Sequence, residues 1–397
     1  MSHARYLLIL MLFVAEAAIA APPSVVEIGS PAAVGSAEPF LSATRDGLLL
    51  SWFEPAADTK VTALRFSVYR RGEWSKPRTV VQRDDFFVNW ADFPSIVENA
   101  NGVLFAHWLQ RSAGTTYAYD VKLAISKDDG RTWSPPILLN RDGKKNEHGF
   151  ASLAPLANGG IAVTWLDGRN MVEGKEEGDM TLRYATIDAA GTIRSDVQLD
   201  GRTCECCTTA MAMVAGRPVI AYRDRSPEEV RDIAVVRQTA NGWSKPNVVH
   251  SDGWKLTGCP VNGPQLDARG SRVVAAWFTA AAEHGRAYVA FSDDGGATFA
   301  APIGVDDGKP IGRMDVVMVD DDAAVVTWSE QTTSGAELRA RRVPRNGKSQ
   351  PSVKVADSSA ARAAGFARAA VVGKDIYIAW TEQNATSKRI HISRVRL

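Results

Sequence analysis

Seven short apolar runs, each ending on an aromatic residue, constrain this chain more than any other feature. They are GLLLSW to Trp52, GVLFAHW to Trp108, GIAVTW to Trp165, RPVIAY to Tyr222, RVVAAW to Trp277, AAVVTW to Trp328 and DIYIAW to Trp380. The aromatics follow one another at intervals of 56, 57, 57, 55, 51 and 52 residues. Each interval has the same internal order. A first strand lies upstream of a Gly, Asp or Asn turn, such as Thr44–Gly47 or Glu98–Gly102, and the aromatic-ended strand follows. After a variable loop comes a third strand (RFSVYR, VKLAIS, LRYATI, IAVVRQ, AYVAFS, LRARRV, IHISRV), then a glycine-containing turn and a short fourth strand. Four antiparallel strands per period of about fifty residues define a β-propeller blade. The expected fold is therefore all-β, one propeller of seven blades, with six the alternative count.

The last unit ends on RIHISRVRL, a third strand with no fourth after it. The segment Pro23–Ser30 is expected to supply the missing outer strand, close the ring and hide both edges. Ahead of it, residues 1–20 carry Arg5, an apolar run from Tyr6 to Val14, and small residues ending at Ala20. This is the pattern of a cleavable secretory signal, which leaves 21–397 as the propeller domain and predicts an exported protein, periplasmic or secreted. The apolar run is too short to span a bilayer. Lys plus Arg number 46 against 45 Asp plus Glu, so no net field argues for nucleic acid or an anionic membrane as partner.

Two stretches repeat almost word for word: Ser126, Asp128, Gly130, Thr132, Trp133 and Ser292, Asp294, Gly296, Thr298, Phe299. Eroded versions stand at Gly72–Pro77 and Asn241–Pro246. Because strands alternate in direction, the turn after strand three lies on the face opposite the starts of the first strands. In that turn the Asp and the hydroxyls can hold backbone amides while Gly supplies a positive φ, so the motif reads as a structural clamp. With these boxes the sequence resembles the Asp-box (BNR-repeat) propellers of the sialidase superfamily. The resemblance implies propeller architecture, and in the family the boxes are structural. Members include glycan hydrolases and lyases as well as proteins without a known reaction. Sialidases use an arginine cluster, a Tyr–Glu pair and an acid/base Asp. Where they carry Phe-Arg-Ile-Pro this chain reads EPFLSAT, Glu38–Thr44, so no catalytic residue is transferred by motif.

The starts of the first strands are expected to converge on one channel mouth. Asp92, His148, Cys206, Cys259 and Arg313 lie 16, 17, 16, 18 and 15 residues before the aromatic of their unit, which brings remote groups to one face. Arg111, Arg169, Arg223 and Arg225 join from the loops after strand two. A guanidinium binds a carboxylate in a forked, two-bond geometry, so Arg169, Arg223 and Arg313 are the candidates for holding an acidic sugar. Their neighbours Asp167, Asp224 and Glu330 offer local pairing instead. His148, Glu147 and Asp92 are the candidates for proton transfer, Tyr117 and Tyr119 offer phenols, and Trp90 offers a face for a sugar ring.

All four cysteines, Cys204, Cys206, Cys207 and Cys259, fall in two of these segments. In an exported protein an even count points to disulfides, and Cys259 to one of the other three is a reasonable bridge. Cys-x-Cys-Cys is not the usual zinc spacing, yet thiolates with His148 and Met314 nearby make a soft set suited to copper or zinc. Three functions are therefore expected in order. The first is binding, with or without cleavage, of an acidic glycan, by hydrolase or lyase chemistry. The second is periplasmic metal binding through the cysteines without turnover, and the third is a scaffold whose face binds another protein.

Overall fold

In the computed structural model, residues 22–397 are described apart from 57–59, 174, 176, 282, 385 and 386. The expected signal segment lies outside these residues. Seven antiparallel sheets follow one another around a central channel, six of them with their strands in chain order, and in blades 1 and 4 the outer edge is split into two short strands. Blade 1 runs through Ala37–Thr44, Gly47–Pro55, Thr62–Arg70 and Arg78–Arg83; blade 2 through Ser95–Glu98, Leu104–Arg111, Tyr119–Ser126 and Ile137–Leu138. The innermost strands of blades 3 to 6 are His148–Pro155, Ala210–Val214, Gln265–Arg269 and Pro310–Asp320. The only helix among the described residues is one 3-10 turn, Arg362–Ala364, so none is long and apolar enough to cross a membrane.

Blade 7 comprises Arg368–Val372, Asp375–Gln383 and Lys388–Arg396, and its outer strand is Ser24–Ile28 from the other end of the chain. The register runs antiparallel from Ser24 opposite Arg396 to Ile28 opposite Ile392. Val25 and Ile28 pack on blade 7 from outside, and the last sheet edge is paired.

The repeated aromatic explains itself in the core. Trp52, Trp108, Trp165, Tyr222, Trp277 and Trp328 are fully buried, each contributing a large apolar surface between adjacent blades. An indole N–H taken out of water needs an acceptor, and in three blades the chain supplies an acid two residues later. Trp52 donates to Glu54 at 3.0 Å, Trp165 to Asp167 at 2.8 Å and Trp328 to Glu330 at 2.7 Å. Trp277 reaches Asp252 at 2.8 Å instead.

The two boxes sit between strands three and four of their blades, away from the face that carries the cysteine loops. Asp128 accepts from the Thr132 amide at 2.9 Å and the Thr132 hydroxyl at 2.7 Å, while Ser126 Oγ takes the Gly130 amide at 2.8 Å. Asp294, Thr298, Ser292 and Gly296 repeat these bonds. In Asp294 burial is the largest single influence and raises the carboxyl, but the Thr298 and Ser292 bonds together outweigh it and bring it to about 2; in Asp128 the Thr132 and Ser126 bonds dominate and hold it at about 2. A Cβ on Gly130 would lie 2.3 Å from the Phe66 ring of the preceding blade, and one on Gly296 would lie 2.9 Å from Val219 of the blade before it. Each box thus presses a glycine turn onto its neighbour, which is a packing role.

Candidate functional site on the channel face

Where the inner strands begin, a cavity of about 90 Å³ opens among Phe40, Asp92, Phe93, Thr208, Gln265 and Arg368. Asp92 reaches it from the segment that crosses from blade 1 to blade 2. Asn89 Oδ1 accepts the Ala91 amide at 2.8 Å and turns the chain, and Asp92 Oδ2 then accepts the Phe150 amide at 2.8 Å. That amide points at the carboxylate because Phe150 adopts φ 52° in a bulge of the inner strand of blade 3. Gly149 makes the approach sterically possible, since a Cβ there would stand 2.1 Å from Asp92 Oδ2.

Glu147 lies on the same bend. The Tyr119 hydroxyl donates to Glu147 Oε1 at 2.6 Å, and the two residues pair as a short parallel bridge. Burial raises the Asp92 carboxyl well above the usual carboxylate range, opposed by the Phe150 amide and reinforced by the Glu147 charge. Burial, with the charges of Glu147 and Asp92, likewise pushes the Tyr119 phenol up, so it stays a donor. Phe87 stacks on Tyr119 with ring centroids 3.9 Å apart, and the Arg111 guanidinium lies over Phe87 at 5.5 Å. Arg111 is exposed and makes no ion pair among the described residues. The order Arg111, Phe87, Tyr119, Glu147, Asp92 therefore runs from a solvent-facing cation to a buried acid whose proton affinity is raised.

His148 belongs elsewhere. Its ring is fully buried, with Nδ1 against the Tyr119 and Asn146 carbonyls at 3.2 and 3.1 Å and Nε2 against Asp142 at 3.0 Å and Asp167 at 3.9 Å. Burial lowers its proton affinity, but the Asp142 hydrogen bond and the two carboxylate charges overcome this and raise it. Of the three residues expected to move protons, Asp92 and Glu147 are brought together and His148 is turned into a closed structural cluster.

The three arginines expected to hold a carboxylate do not converge either. Arg169 forks onto Asp167 with bonds of 2.7 and 2.9 Å. Arg223 is 1% exposed and spends its donors on the carbonyls of Asn262, Arg231 and Phe278. Arg313 donates to the Ala360 carbonyl at 2.9 Å, lies over Trp90 at 5.3 Å, and is lowered to about 10 by burial with Arg362 adding to it. Trp90 is held between Arg313 and Phe366, which stacks on it at 5.9 Å.

The cysteine loops do converge. Cys204–Cys207 lie in the connection from blade 3 to blade 4 and Cys259 in the connection from blade 4 to blade 5. All four are free, with Sγ separations of 3.5 Å for Cys204–Cys207 and 3.9 Å for Cys204–Cys206, so no pair is at disulfide distance. Arg231 Nη1 donates to Cys204 Sγ at 3.1 Å and to Glu205 at 2.8 Å, and Nη2 donates to Glu229 at 3.0 Å. Although burial pushes the Cys204 thiol up, hydrogen bonds from Cys206 and Cys207 and the Arg231 charge bring it well below the ordinary value. His148 belongs to a separate group with Asp142 and Asp167, and Met314 packs in the apolar core of blades 5 and 6. Arg231 escaped the reading of the sequence, although the charge-dense stretch EEVRD after strand two was a usable signal.

No family profile matches the sequence, and no curated protein matches it. Solved structures do resemble the fold. A polysaccharide lyase superposes with TM-score 0.55 at 8% identity, over 91% of this chain and 90% of that one. An ulvan lyase superposes with TM-score 0.50 at 12% identity over 78% and 79%, and the endosialidase of phage phi92 with TM-score 0.50 at 8% identity over 94% and 69%. The chain therefore shares the propeller fold of polysaccharide lyases and sialidases.

Proposed function

We propose that this propeller, exported after removal of residues 1–20, binds and cleaves an acidic glycan on the channel face between blades 2 and 3. The observation that carries the reading is two carboxyls in unlike surroundings: Asp92, buried against the Phe150 amide at 2.8 Å with its proton affinity raised by burial, and Glu147, which accepts the Tyr119 hydroxyl at 2.6 Å. Such a pair divides acid and base roles between like residues. Asp92 donates a proton to the leaving sugar oxygen. Glu147 acts opposite it, either on water or on the acidic proton beside a uronate carboxyl. Tyr119, covered by Phe87, is a positioning residue that donates its hydroxyl to Glu147 Oε1 and fixes that carboxylate.

The sugar carboxylate is assigned to Arg111 in place of Arg169, Arg223 and Arg313, because Arg111 is the member of the set with an exposed fork and no competing acid among the described residues. The fold resemblance to glycan-cleaving propellers supports the class of ligand without fixing the reaction.

Turnover on a panel of uronate-containing polysaccharides and sialylated oligosaccharides tests this. A gain of ultraviolet absorbance from an unsaturated product marks elimination, and reducing ends without it mark hydrolysis. Asp92→Asn and Glu147→Gln should each lower turnover by about 10²-fold or more, the usual worth of a general acid or base. Arg111→Ala should raise KM with a smaller effect on kcat. Wild-type activity that survives both carboxyl changes would overturn the reading.

A further inference from the structure

The acid/base site leaves the cysteines unused, and they are the most concentrated chemistry on the same face. Two loops that are remote in sequence meet there with little freedom. Gly263 of the second loop lies so close to the first that a Cβ would stand 2.1 Å from the Thr208 carbonyl oxygen. The Cys204 amide is fixed by the Arg223 carbonyl at 3.0 Å, and the Asn262 carbonyl beside Cys259 is held by the same arginine at 2.7 and 3.0 Å. The sulfurs are thus presented by braced backbone. Cys204, Cys206 and Cys207 lie within 4.8 Å of one another, while Cys259 stands outside that trio on the facing loop, on the side of Cys206.

The spacing is informative. A disulfide needs sulfurs about 2.05 Å apart. A metal–sulfur bond of about 2.3 Å instead sets sulfurs about 3.8 Å apart in a tetrahedron and about 4.0 Å apart in a flat triangle. The separations of 3.5 and 3.9 Å exclude a disulfide and are those of thiols in direct contact, close enough that a small outward shift would seat them around one ion.

The charge around the sulfurs points the same way. Arg223 is buried, and among the described residues no carboxylate pairs with it; its partners are carbonyls alone. A buried cation without a counter-ion is costly, and a cluster of thiolates beside it supplies the missing negative charge. Arg231 adds a direct N–H from Nη1 to Cys204 Sγ, and its guanidinium is fixed by Glu205 at the same nitrogen and by Glu229 at Nη2. Hydrogen bonds of this kind orient ligands around a metal.

We propose that Cys204, Cys206, Cys207 and Cys259 bind one thiophilic closed-shell metal ion, zinc(II) or copper(I), on the channel face between blades 3, 4 and 5. Cys204 and Cys207 form the buried floor and the exposed Cys259 closes the site from the rim. Binding displaces the remaining thiol protons to solvent and changes no oxidation state. Soft sulfur donors select such ions over magnesium or calcium.

The full chain, reduced and stripped under anaerobic conditions, is titrated with cobalt(II) as a spectroscopic substitute for zinc, then with zinc(II) and with copper(I) against chromophoric competitors. One ion per chain, with the intense sulfur-to-cobalt band of a thiolate site, is expected; the ion that binds tighter at buffered concentrations names the occupant. Cys259→Ser alters an exposed position and should weaken binding with the melting temperature of the stripped chain unchanged. Arg231→Gln keeps all four thiols and should lower affinity by about 10- to 100-fold, the usual effect of losing an outer-shell partner. No bound ion in the reduced, folded chain would overturn the proposal. So would Cys204–Cys207 and Cys206–Cys259 bridges without metal in protein isolated from its native compartment. Either result leaves the glycan reading intact, because that rests on Asp92 and Glu147.

Discussion

Removing the Asp167 carboxylate probes how a repeat element stabilises the ring. The group is fully buried and serves three partners: the Trp165 indole at 2.8 Å, the Arg169 fork at 2.7 and 2.9 Å, and the His148 ring at 3.9 Å. Breaking a buried pair from one side costs about 3–5 kcal/mol. The Arg169 side chain is 24% exposed and can turn toward water, which places Asp167→Ala near about 3 kcal/mol, the lower end of that range. With unfolding entropy near 2.1 cal/mol/K per residue, about 370 ordered residues give roughly 0.8 kcal/mol/K and a melting shift of about 4 °C. Asp167→Asn keeps an acceptor for the indole and loses only the charge, so its shift should fall between wild type and alanine. Scanning calorimetry at one fixed scan rate measures both. If both variants melt within about 1 °C of wild type, under 1 kcal/mol on this conversion, the tryptophan–acid pair is not the stabilising unit described.

The remaining predictions concern pH and ring closure. His148 has its proton affinity raised by Asp142 and Asp167 against burial, and His391 is raised against burial by Glu27 and Glu382. A raised folded value means stability that is fully present below about pH 6.5 and lost as pH rises through each folded value. Melting temperature should therefore fall above that pH, and Asp142→Asn should remove the His148 share of the slope; a profile identical to wild type would refute its assignment. Because Glu27 lies in the closing strand, that strand should also exchange its amides faster at alkaline pH than at pH 6 after correction for intrinsic rates. Deleting residues up to Ile28 exposes the edge of Lys388–Arg396 and should lower the melting temperature sharply. An unchanged melt would mean that the ring closes without it.

Much of the architecture was legible because a blade is a local unit: its strands are consecutive, so the period of aromatics reports it directly. The convergence of Cys206 and Cys259 followed from their similar offsets within that period, 16 and 18 residues before the aromatic, since similar offsets mean similar heights on the ring. Side-chain direction was not legible. His148 and Asp92 have similar offsets, yet Phe150 at φ 52° turns its amide to Asp92 while the neighbouring His148 ring packs away from it against Asp142. Arg223 reads as a surface guanidinium until the carbonyls of two other segments, Asn262 and Phe278, are placed around it. Arg111 stood out little in the sequence, and its stack on Phe87 depends on the crossing segment between blades 1 and 2.

A crystal structure of Glu147→Gln soaked with an acidic oligosaccharide tests the central claim most directly. A sugar carboxylate on Arg111, with the scissile oxygen within hydrogen-bond reach of Asp92, is the predicted result. A saturating ligand bound on the opposite face, beside the Asp128 and Asp294 turns, with the channel face free of sugar, would contradict it.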